Sequence, residues 1–457
     1  MRLHAAAVTR VCLLPMALLV CSTIAVCSAA PSSSAGNYVT VKNIAGRWWL
    51  ISPHGHRFIS RGVDAVNAIA KISRKLGSAA QQRRWAAAHF AAWGFNTLGA
   101  WSAPAFAAAN PGAKPLYQTP VLNLGAAYVA KIQHGRNAWL GGVFPDVFDR
   151  EFQKIADKTA RRLTARFAHN HRVIGYFSDN ELHWGPDWRG DTELLMAFLH
   201  EPPAAPGHIR AVAFLEKRYP SVRTFNRIWH EHLSCICHLM GENNIRAPYR
   251  RRPIYSRNPR HEALLDKANP GRARFFSDCD AFAQIVAARY LRICRAAIKQ
   301  AAPHQLYLGC RFAYFPGRAI AAEAAKYADV ISLNCYDLNP TSVLQRYAPL
   351  NKPLMITEFS FRARDSGLPN TKGAGVLVNT QAQRAADAVA YIKACLAFGQ
   401  VVGYHWFEYA DEPKAGRFDG ENSNYGLVRR SARPYATLTR ELTQVNAQAV
   451  HLHELGR

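Results

Sequence analysis

The sequence predicts a (β/α)8 barrel, also called a TIM barrel, and three observations support this fold class. Runs of β-forming residues alternate with helical runs about eight times over roughly 400 residues, which is typical of a parallel sheet. No Gly-rich phosphate loop follows the first strand, and the chain length favours a barrel over a dinucleotide-binding fold. The composition, 49% hydrophobic in 457 residues, is sufficient for one large core.

The N-terminal elements are a hairpin and two strands with a helix between them. Residues 48–51 and 57–59 flank a Ser-Pro-His-Gly turn and predict a short hairpin that leads into the first strand. An Ala-rich segment over 83–92 predicts a helix that ends near Gly94. The second strand lies within 95–104, where polar and aromatic residues follow the β-forming run.

Long insertions are predicted after the second or third strand and after the fourth. The first contains a strand at 120–124, and a helix over 149–169 then leads to the fourth strand at 173–177. The second insertion runs from residue 185 to about residue 274. The remaining predicted elements are helices over 276–301, 382–398 and 435–455 and strands at 306–312, 330–336, 353–359 and 401–407.

Residues 1–30 are typical of a secretory signal peptide. Arg2 and Arg10 give a positively charged start, an apolar stretch covers 11–26, and small residues follow it. An uncleaved membrane anchor is the main alternative. We therefore expect a secreted or periplasmic protein without stable membrane insertion after signal cleavage. Its predicted parts are the signal over 1–30, a Ser-rich linker over 31–37 and one folded domain over 38–457.

The chain carries a net charge of +26, from 57 basic and 31 acidic residues. A basic surface either keeps the protein soluble or attracts an acidic partner, such as a sulfated or uronate polymer. The charge is densest over 247–274, but no nucleic-acid-binding motif accompanies it. Nucleic acid is therefore not expected as a partner.

The cysteines predict neither a disulfide framework nor a metal site. Removal of three with the signal leaves seven of the ten, an odd number without regular spacing. Cys235, Cys237 and His238 lack the second pair of ligands that a structural zinc site needs. Buried or singly bridged thiols are the favoured interpretation.

Polar residues follow the predicted strands, and in a barrel the C-terminal strand ends meet at one face. Two are carboxylates, Glu181 after the fourth strand and Glu358 at the seventh. A buried carboxylate without a partner is costly, so both are expected to be paired or functional. Further candidates at these ends are Asp64, Asn67, Asn180, His183, Trp184, Arg311, Asn334, Tyr336, Trp406 and Glu408.

Two carboxyl groups that face one cavity are what glycoside cleavage requires. One is kept protonated and gives its proton to the leaving oxygen, while the other attacks the anomeric carbon. Nearby aromatic side chains fit this chemistry, because sugar rings offer flat C–H faces for stacking. The alternative for either glutamate alone is that it caps a strand or pairs with an arginine.

Several stretches resemble the β-agarases of glycoside hydrolase family 50, in the clan of retaining (β/α)8-barrel glycosidases. They are 175–185 (GYFSDNELHWG), 356–375 and 403–428, and residues 214–229 also resemble a segment of the family 42 β-galactosidases. The resemblance covers about residues 46–435. By motif it implies that Glu181 is the acid/base and Glu358 the nucleophile.

The same resemblance implies further roles. Asn180 matches the residue that hydrogen-bonds the hydroxyl next to the anomeric carbon, Tyr336 would hold the nucleophile, and Trp406 would lie under the sugar being cleaved. Weaker candidates for substrate contacts are His183, Trp184, Asp64, Asn67 and Arg311. Glu408 and Asp411 either bind sugar hydroxyls or pair with Arg417.

The function so implied is that of a retaining glycoside hydrolase without cofactor or metal. Its substrate would be a polysaccharide or oligosaccharide, neutral or anionic, with β-galactosidic bonds in an agar-like or other galactose-containing chain. Residues 38–457 would be its catalytic domain. Two alternatives stay open: a β-galactosidase or related exo-glycosidase that acts on a charged polysaccharide, and a non-catalytic carbohydrate-binding barrel.

Overall fold

A computed structural model describes residues 38–107, 116–133 and 136–456 of the chain. The predicted signal peptide, 1–30, and the Ser-rich linker, 31–37, lie outside the described residues. Within the parts of the chain that are described, no helix combines the length and the apolar character needed to span a bilayer.

A mostly parallel sheet forms the centre of an α/β fold. The described strands are β1 (Thr40–Ile44), β2 (Arg47–Ile51), β3 (Arg57–Phe58), β4 (Ser60–Val63), β5 (Thr97–Leu98), β6 (Tyr117–Gln118), β7 (Gly175–Tyr176), β8 (Leu306–Tyr307), β9 (Phe312–Ala313), β10 (Ile331–Asn334), β11 (Leu354–Phe359), β12 (Phe361–Ala363), β13 (Val376–Val378) and β14 (Val401–Trp406). Seven of them form one all-parallel sheet in the order β6-β5-β4-β14-β11-β10-β9. The pairs β7–β8 and β12–β13 are also parallel, whereas β1, β2 and β3 form an antiparallel sheet.

Helices alternate with the strands along the chain. Their bounds among the described residues are α1 (Ala70–Leu76), α2 (Ala79–Ala92), α3 (Leu124–Ile132), α4 (Arg150–Thr164), α5 (Leu194–Leu199), α6 (Pro206–Arg218), α7 (Val222–Trp229), α8 (Pro259–Ala268), α9 (Pro270–Ala301), α10 (Arg318–Tyr327), α11 (Thr341–Tyr347), α12 (Gln381–Ala397) and α13 (Ala436–Leu455). In α4, Asp149 caps the first turn by accepting from the Glu151 N–H, and Phe152 and Ile155 lie on the buried face. The periodic pattern of the sequence therefore marks this helix correctly.

The closed barrel predicted from the sequence does not appear among the described strand pairs. β7 and β8 form a pair separate from the seven-stranded sheet. In the described part of the chain, strand pairing between the segment from β6 onward and the segment around β7 consists of two single parallel bridges, Gln118 with Val173 and Val121 with Phe177. The fold is therefore described here as α/β with a mostly parallel sheet.

Two predicted strands differ in detail from the structure. The strand predicted over 306–312 forms β8 and β9, because Gly309 and Arg311, with φ of +78° and +45°, turn the chain between them. The strand predicted over 120–124 lies too far along the chain, since β6 ends before it and α3 begins at its last residue. Pro120 has no N–H to donate to a ladder, which limits pairing at this point.

The N-terminal hairpin contributes to an interior cluster. β2 and β3 pair around the turn as predicted, with Leu50 opposite Phe58, and β1 adds a third strand. These two side chains pack with apolar side chains in or beside β7, β8, β10, β11 and β14. The other buried members of the cluster include Ile174, Phe177, Leu306, Leu308, Val330, Met355 and Val402.

The insertion after the fourth predicted strand, 185–274, is largely helical and holds α5 to α8. α9 begins at Pro270, earlier than predicted, and Asn269 caps it by accepting from the Arg272 N–H. Cys235 and Cys237 form a disulfide in this insertion. The free cysteines among the described residues are buried: Cys279, Cys294, Cys310, Cys335 and Cys395.

Candidate active site

Two glutamates from separate segments lie around one asparagine. Glu358 is in β11, in register with Asn334 of the neighbouring β10. Glu181 follows β7 in an irregular segment, and the Asn334 Nδ2 donates to its Oε1 at 2.9 Å. The fold thus brings together two carboxylates that are separated by 176 intervening residues in the sequence (358 − 181 − 1).

Glu358 is buried between a phenol and a guanidinium. Tyr336 O–H donates to its Oε2 at 2.7 Å, and Arg311 Nη2 lies 2.9 Å from its Oε1. Burial raises the pKa of Glu358 to about 8; the Arg311 charge and the Tyr336 hydrogen bond lower it, while Glu181 and Asp64 raise it. The ionised form therefore depends on two named side chains.

Arg311 is the central cation of the site and is fully buried. Its Nη2 also donates to Asp64 Oδ2 at 2.8 Å and to the Thr357 carbonyl at 2.9 Å. Its Nη1 donates to Asn180 Oδ1 at 2.9 Å. From the sequence alone, Arg311 was one of several candidates for substrate contact. The structure places it against both Glu358 and Asn180.

Asn180 is held by its carbonyl oxygen. Its Oδ1 accepts from Arg311 Nη1 and from Asn334 Nδ2, the latter at 3.1 Å. Since both bonds use the oxygen, the amide N–H groups of Asn180 are the atoms that it can present to a ligand.

Glu181 has a left-handed backbone, with φ +44°. Its N–H donates to the Arg311 carbonyl at 3.1 Å, and its carbonyl accepts from Arg189 Nη2 at 2.8 Å. Its two carboxylate oxygens accept from Asn334 and from the indole N–H of Trp139, the latter at 3.1 Å. Such strain in a non-glycine residue persists where the surroundings fix it, and such residues cluster at active sites.

Trp139 and Arg189 were not identified from the sequence. Trp139 lies in an irregular segment without a recognisable motif. Arg189 donates to the carbonyls of both Trp139, at 2.7 Å, and Glu181. The only sequence signal was an aromatic residue in an insertion near the site, and this does not predict a contact with a particular glutamate.

Three polar candidates lie close to the centre but are occupied by protein partners. Asp64 is fully buried and accepts from Arg311. The Asn67 Nδ2 donates to the Trp101 carbonyl at 2.8 Å. His183 uses both ring nitrogens, one with Asp187 and one with the Thr192 carbonyl, each at 3.0 Å.

The two predicted tryptophans are buried. Trp406 is 1% exposed, its Nε1 donates to the Tyr425 carbonyl at 2.9 Å, and the Arg384 guanidinium lies 5.3 Å from its ring centre. Trp184 packs against Phe144 and other core rings. The more accessible rings near the site are different ones: Trp101, 38% exposed and 4.4 Å from the Arg311 guanidinium, and Phe418, 79% exposed.

The segment after β14 carries an acidic cluster around Arg417. The guanidinium pairs with Glu412 at 3.0 Å, Asp419 at 2.7 Å and Glu421 at 2.9 Å. Burial raises the pKa of Glu408 well above its ordinary value, and the nearby Glu412 adds to this shift. Asp411 does not pair with Arg417 in this cluster; instead its carboxylate accepts hydrogen bonds from Tyr435, Asn424 and the Gly426 N–H.

No group of three or more His, Cys, Asp or Glu side chains within the described ranges is arranged to hold a metal ion. The donors around Glu181 and Glu358 are an amide, an indole, a phenol and a guanidinium. These groups supply hydrogen bonds and positive charge to carboxylates. The arrangement can therefore position two carboxyl groups for proton transfer and nucleophilic attack.

The sequence comparison finds two curated relatives from Vibrio sp. (strain JT0107). Beta-agarase A is 30% identical over 379 residues, which are 78% of this chain and 34% of the relative. Beta-agarase B is 29% identical over 372 residues, which are 78% of this chain and 35% of the relative. No protein-family model matches the chain.

The comparison with solved structures supports the fold. An exo-beta-agarase superimposes with a TM-score of 0.72 at 22% identity, over 92% of this chain and 66% of that structure. A beta-galactosidase from the psychrophilic Marinomonas ef1 gives a TM-score of 0.50 at 14% identity, over 87% of this chain and 60% of that structure. The fold is thus related to glycosidase structures.

These findings confirm the resemblance indicated by the sequence motifs. The chain spans about a third of the length of the curated relatives that it matches. The similarity nevertheless extends over 78% of the present chain.

Proposed function

We propose that this chain, a homologue of the β-agarases, is a retaining glycoside hydrolase that cleaves β-galactosidic bonds in agar-like or other galactose-containing polysaccharides or oligosaccharides. The observation that carries the proposal is the arrangement of Glu181 and Glu358 around Asn334. The relatives are named for agarase activity, which gives the substrate class.

In the first step, a Glu358 oxygen attacks the anomeric carbon while Glu181 donates a proton to the leaving oxygen. The C–O bond to the leaving sugar breaks and a glycosyl ester of Glu358 forms. In the second step, Glu181 takes a proton from water, which attacks the anomeric carbon and releases Glu358. Retention of configuration follows from two successive displacements at one carbon.

The surrounding residues assist each carboxylate. Arg311 and Tyr336 stabilise the charge of Glu358 and leave it ready for attack. Asn180 has its amide N–H groups available, and we assign them to the sugar hydroxyl next to the anomeric carbon. Asp64 acts through Arg311, since it fixes the guanidinium that contacts Glu358.

We also propose that the strands close into a (β/α)8 barrel. Two bridges join the segments around β6 and β7, and β7 pairs with β8, so these contacts support pairing between the two edges of the seven-stranded sheet, β6 and β9. Four residues, 308–311, separate β8 from β9. The interior cluster of side chains from five strands supports the same closure.

We further propose that residues 38–457 are the catalytic domain and that the protein is exported. Export rests on the signal-like composition of residues 1–30. Cleavage of the signal would leave a secreted or periplasmic enzyme. N-terminal sequencing of the exported protein tests this, since an uncleaved anchor would retain Met1.

A charged polysaccharide is the second substrate candidate, and the net charge of +26 favours it. A basic protein attracts anionic chains over a distance set by ionic strength. We therefore propose a comparison of neutral agarose and neoagaro-oligosaccharides with a sulfated or uronate galactan. Cleavage of only the anionic polymers would retain the mechanism and assign the substrate to the charged class.

The test measures product release by the wild type, Glu181→Gln and Glu358→Ala, with Glu441→Gln as a surface control. Among the described residues, the ion pair of Glu441 is with the exposed Arg440, at 3.2 Å. Loss of the Glu441 charge is therefore expected to leave turnover unchanged. The proposal expects loss of product in both site variants and a retained anomeric configuration by NMR. Binding of sugar without turnover in the folded wild type would instead identify a non-catalytic carbohydrate-binding barrel.

A further inference from the structure

We propose that Trp139 and Phe418 form an aromatic clamp, which binds the sugar ring on the leaving-group side of the bond being cleaved. The inference rests on the proposed function and names a subsite for it. The two rings come from separate segments, the first loop (136–142) and the second loop (411–426), and their centres are 6.2 Å apart.

The position of Trp139 follows from its hydrogen bond to Glu181. The indole N–H donates to Oε2, and Arg189 fixes the backbone of both residues through their carbonyls. Glu181 is the proposed proton donor to the leaving oxygen. A ring that is hydrogen-bonded to this carboxylate therefore lies beside the leaving sugar rather than beside the sugar attacked by Glu358.

Phe418 is unusual for a large apolar side chain because 79% of its surface is exposed. Exposure of a whole phenyl ring forgoes the free energy that burial would supply. The second loop is nevertheless well fixed, since Arg417, which precedes Phe418, pairs with Asp419 and Glu421, which follow it. A fixed, exposed ring that contacts Trp139 is suited to stacking on a ligand.

Contacts connect the clamp to both glutamates. The Arg417 guanidinium lies 5.5 Å from the ring centre of Phe418 and 5.5 Å from the ring centre of Phe407. Phe407 in turn contacts Tyr336, which donates to Glu358. A series of contacts thus connects Glu181, through the clamp and Arg417, to Glu358.

The ligand chemistry follows from these groups. A hexose presents C–H groups on the faces of its ring and hydroxyls around its edge. One face suits stacking on the two aromatic rings, which are tilted by 59° to each other. The occupant is therefore a sugar of the substrate chain itself.

The experiment compares wild type, Phe418→Ala, Phe418→Tyr and Trp139→Phe on two substrates. A neoagaro-oligosaccharide has a sugar as its leaving group, whereas β-galactosyl fluoride loses fluoride and has none. Leu264→Ala is the matched control, because Leu264 is 67% exposed on α8 and lies outside both loops. Trp139→Phe keeps a ring and removes the N–H that reaches Glu181.

We expect Phe418→Ala to lower kcat/KM about tenfold on the oligosaccharide, which corresponds to ~1.4 kcal/mol, and to leave the fluoride rate within about twofold. Phe418→Tyr, which retains a ring, and Leu264→Ala should match the wild type on both. Trp139→Phe should lower the oligosaccharide rate more than the fluoride rate, because fluoride departs without a proton from Glu181.

Equal rates in Phe418→Ala and the wild type would overturn the clamp while leaving the proposed function intact. An equal loss on both substrates would also overturn it, since this would show a general defect. If the wild type fails to turn over either substrate, calorimetry on Glu358→Gln with and without Phe418→Ala decides. Weaker oligosaccharide binding in the double variant supports the clamp, and equal binding or none overturns it.

Discussion

Tyr336→Phe tests how the charge of Glu358 is stabilised. The substitution removes one O–H, which donates to Glu358 Oε2 at 2.7 Å, and retains the ring that packs against Phe407. A hydrogen bond to a charged group contributes about 1.5–3 kcal/mol. At about 1.4 kcal/mol per pKa unit, its loss should raise the pKa of Glu358 by about 1–2 units.

The expected result is an upward shift of the acidic limb of the kcat/KM profile. Glu358 must be ionised to attack, and its pKa is already raised to about 8 by burial. A further rise means that activity at a fixed pH below the limb falls about 10–100-fold, because a smaller fraction is ionised. The assay is kcat/KM on a neoagaro-oligosaccharide across the pH range, with buffers of constant ionic strength.

The substitution should also change how the free energy of unfolding depends on pH. Between about pH 4.5 and pH 8 the folded state binds more protons at Glu358 than the unfolded state, so the free energy of unfolding falls as pH rises through this window. Tyr336→Phe should deepen the fall near pH 8 and have less effect near pH 5, where Glu358 is protonated. Chemical denaturation at both values measures the difference.

Tyr404→Phe is the matched control for these measurements. The Tyr404 hydroxyl is also buried and donates to Asn446 at 2.8 Å, but no contact joins it to Glu358 in the described part of the chain. It should lose stability without moving the acidic limb. An unmoved or lowered limb in a folded Tyr336→Phe protein would refute the reasoning about Glu358.

Three further predictions follow from the site. Glu181→Ala should lose turnover on the oligosaccharide, whose leaving oxygen needs a proton. On β-galactosyl fluoride, whose fluoride departs without one, added azide should attack the glycosyl ester of Glu358 and give β-galactosyl azide, which mass spectrometry detects; water as the only acceptor would contradict an acid/base role. Arg311→Met should lower the free energy of unfolding by about 3–5 kcal/mol in denaturant titrations, because it leaves two buried carboxylates without their cation; a loss below 1 kcal/mol would contradict this. Gly62→Ala should reduce thermal stability, since the new Cβ would collide with the buried ring of His405; Gly190→Ala, in open space and without a positive φ, serves as the control, and equal stability of Gly62→Ala and the wild type would count against the packing.

The local sequence pattern predicted five of the thirteen described helices, namely α2, α4, α9, α12 and α13, and the strand ends that carry the two glutamates. Apolar residues at helical spacing identified α4, and the run ending at Glu358 identified β11. The points at which a strand is interrupted were harder to predict. Gly309 and Arg311 divide a run that looks continuous, because their left-handed backbone is set by surrounding contacts rather than by β propensity.

The candidate site likewise contains residues that the sequence predicted and residues that it did not. Residue type and strand position alone suggested Glu181, Glu358, Asn180 and Tyr336, since polar groups at parallel strand ends must be paired or functional. Trp139 could not be assigned in this way. Its indole reaches Glu181 across 41 intervening residues (181 − 139 − 1), and only the path of the insertion brings the two together.

The sequence by itself determined the alternation of strands and helices, the two glutamates and the resemblance to the β-agarases. These features depend on local periodicity and on the chemical type of single residues. Tertiary structure alone decided that Trp406 is buried, that Arg311 joins Asp64 to Glu358, and that an exposed Phe418 lies near Trp139. The physical reason is that burial and hydrogen bonding are properties of neighbours in space, and a linear pattern does not specify which distant residues become neighbours.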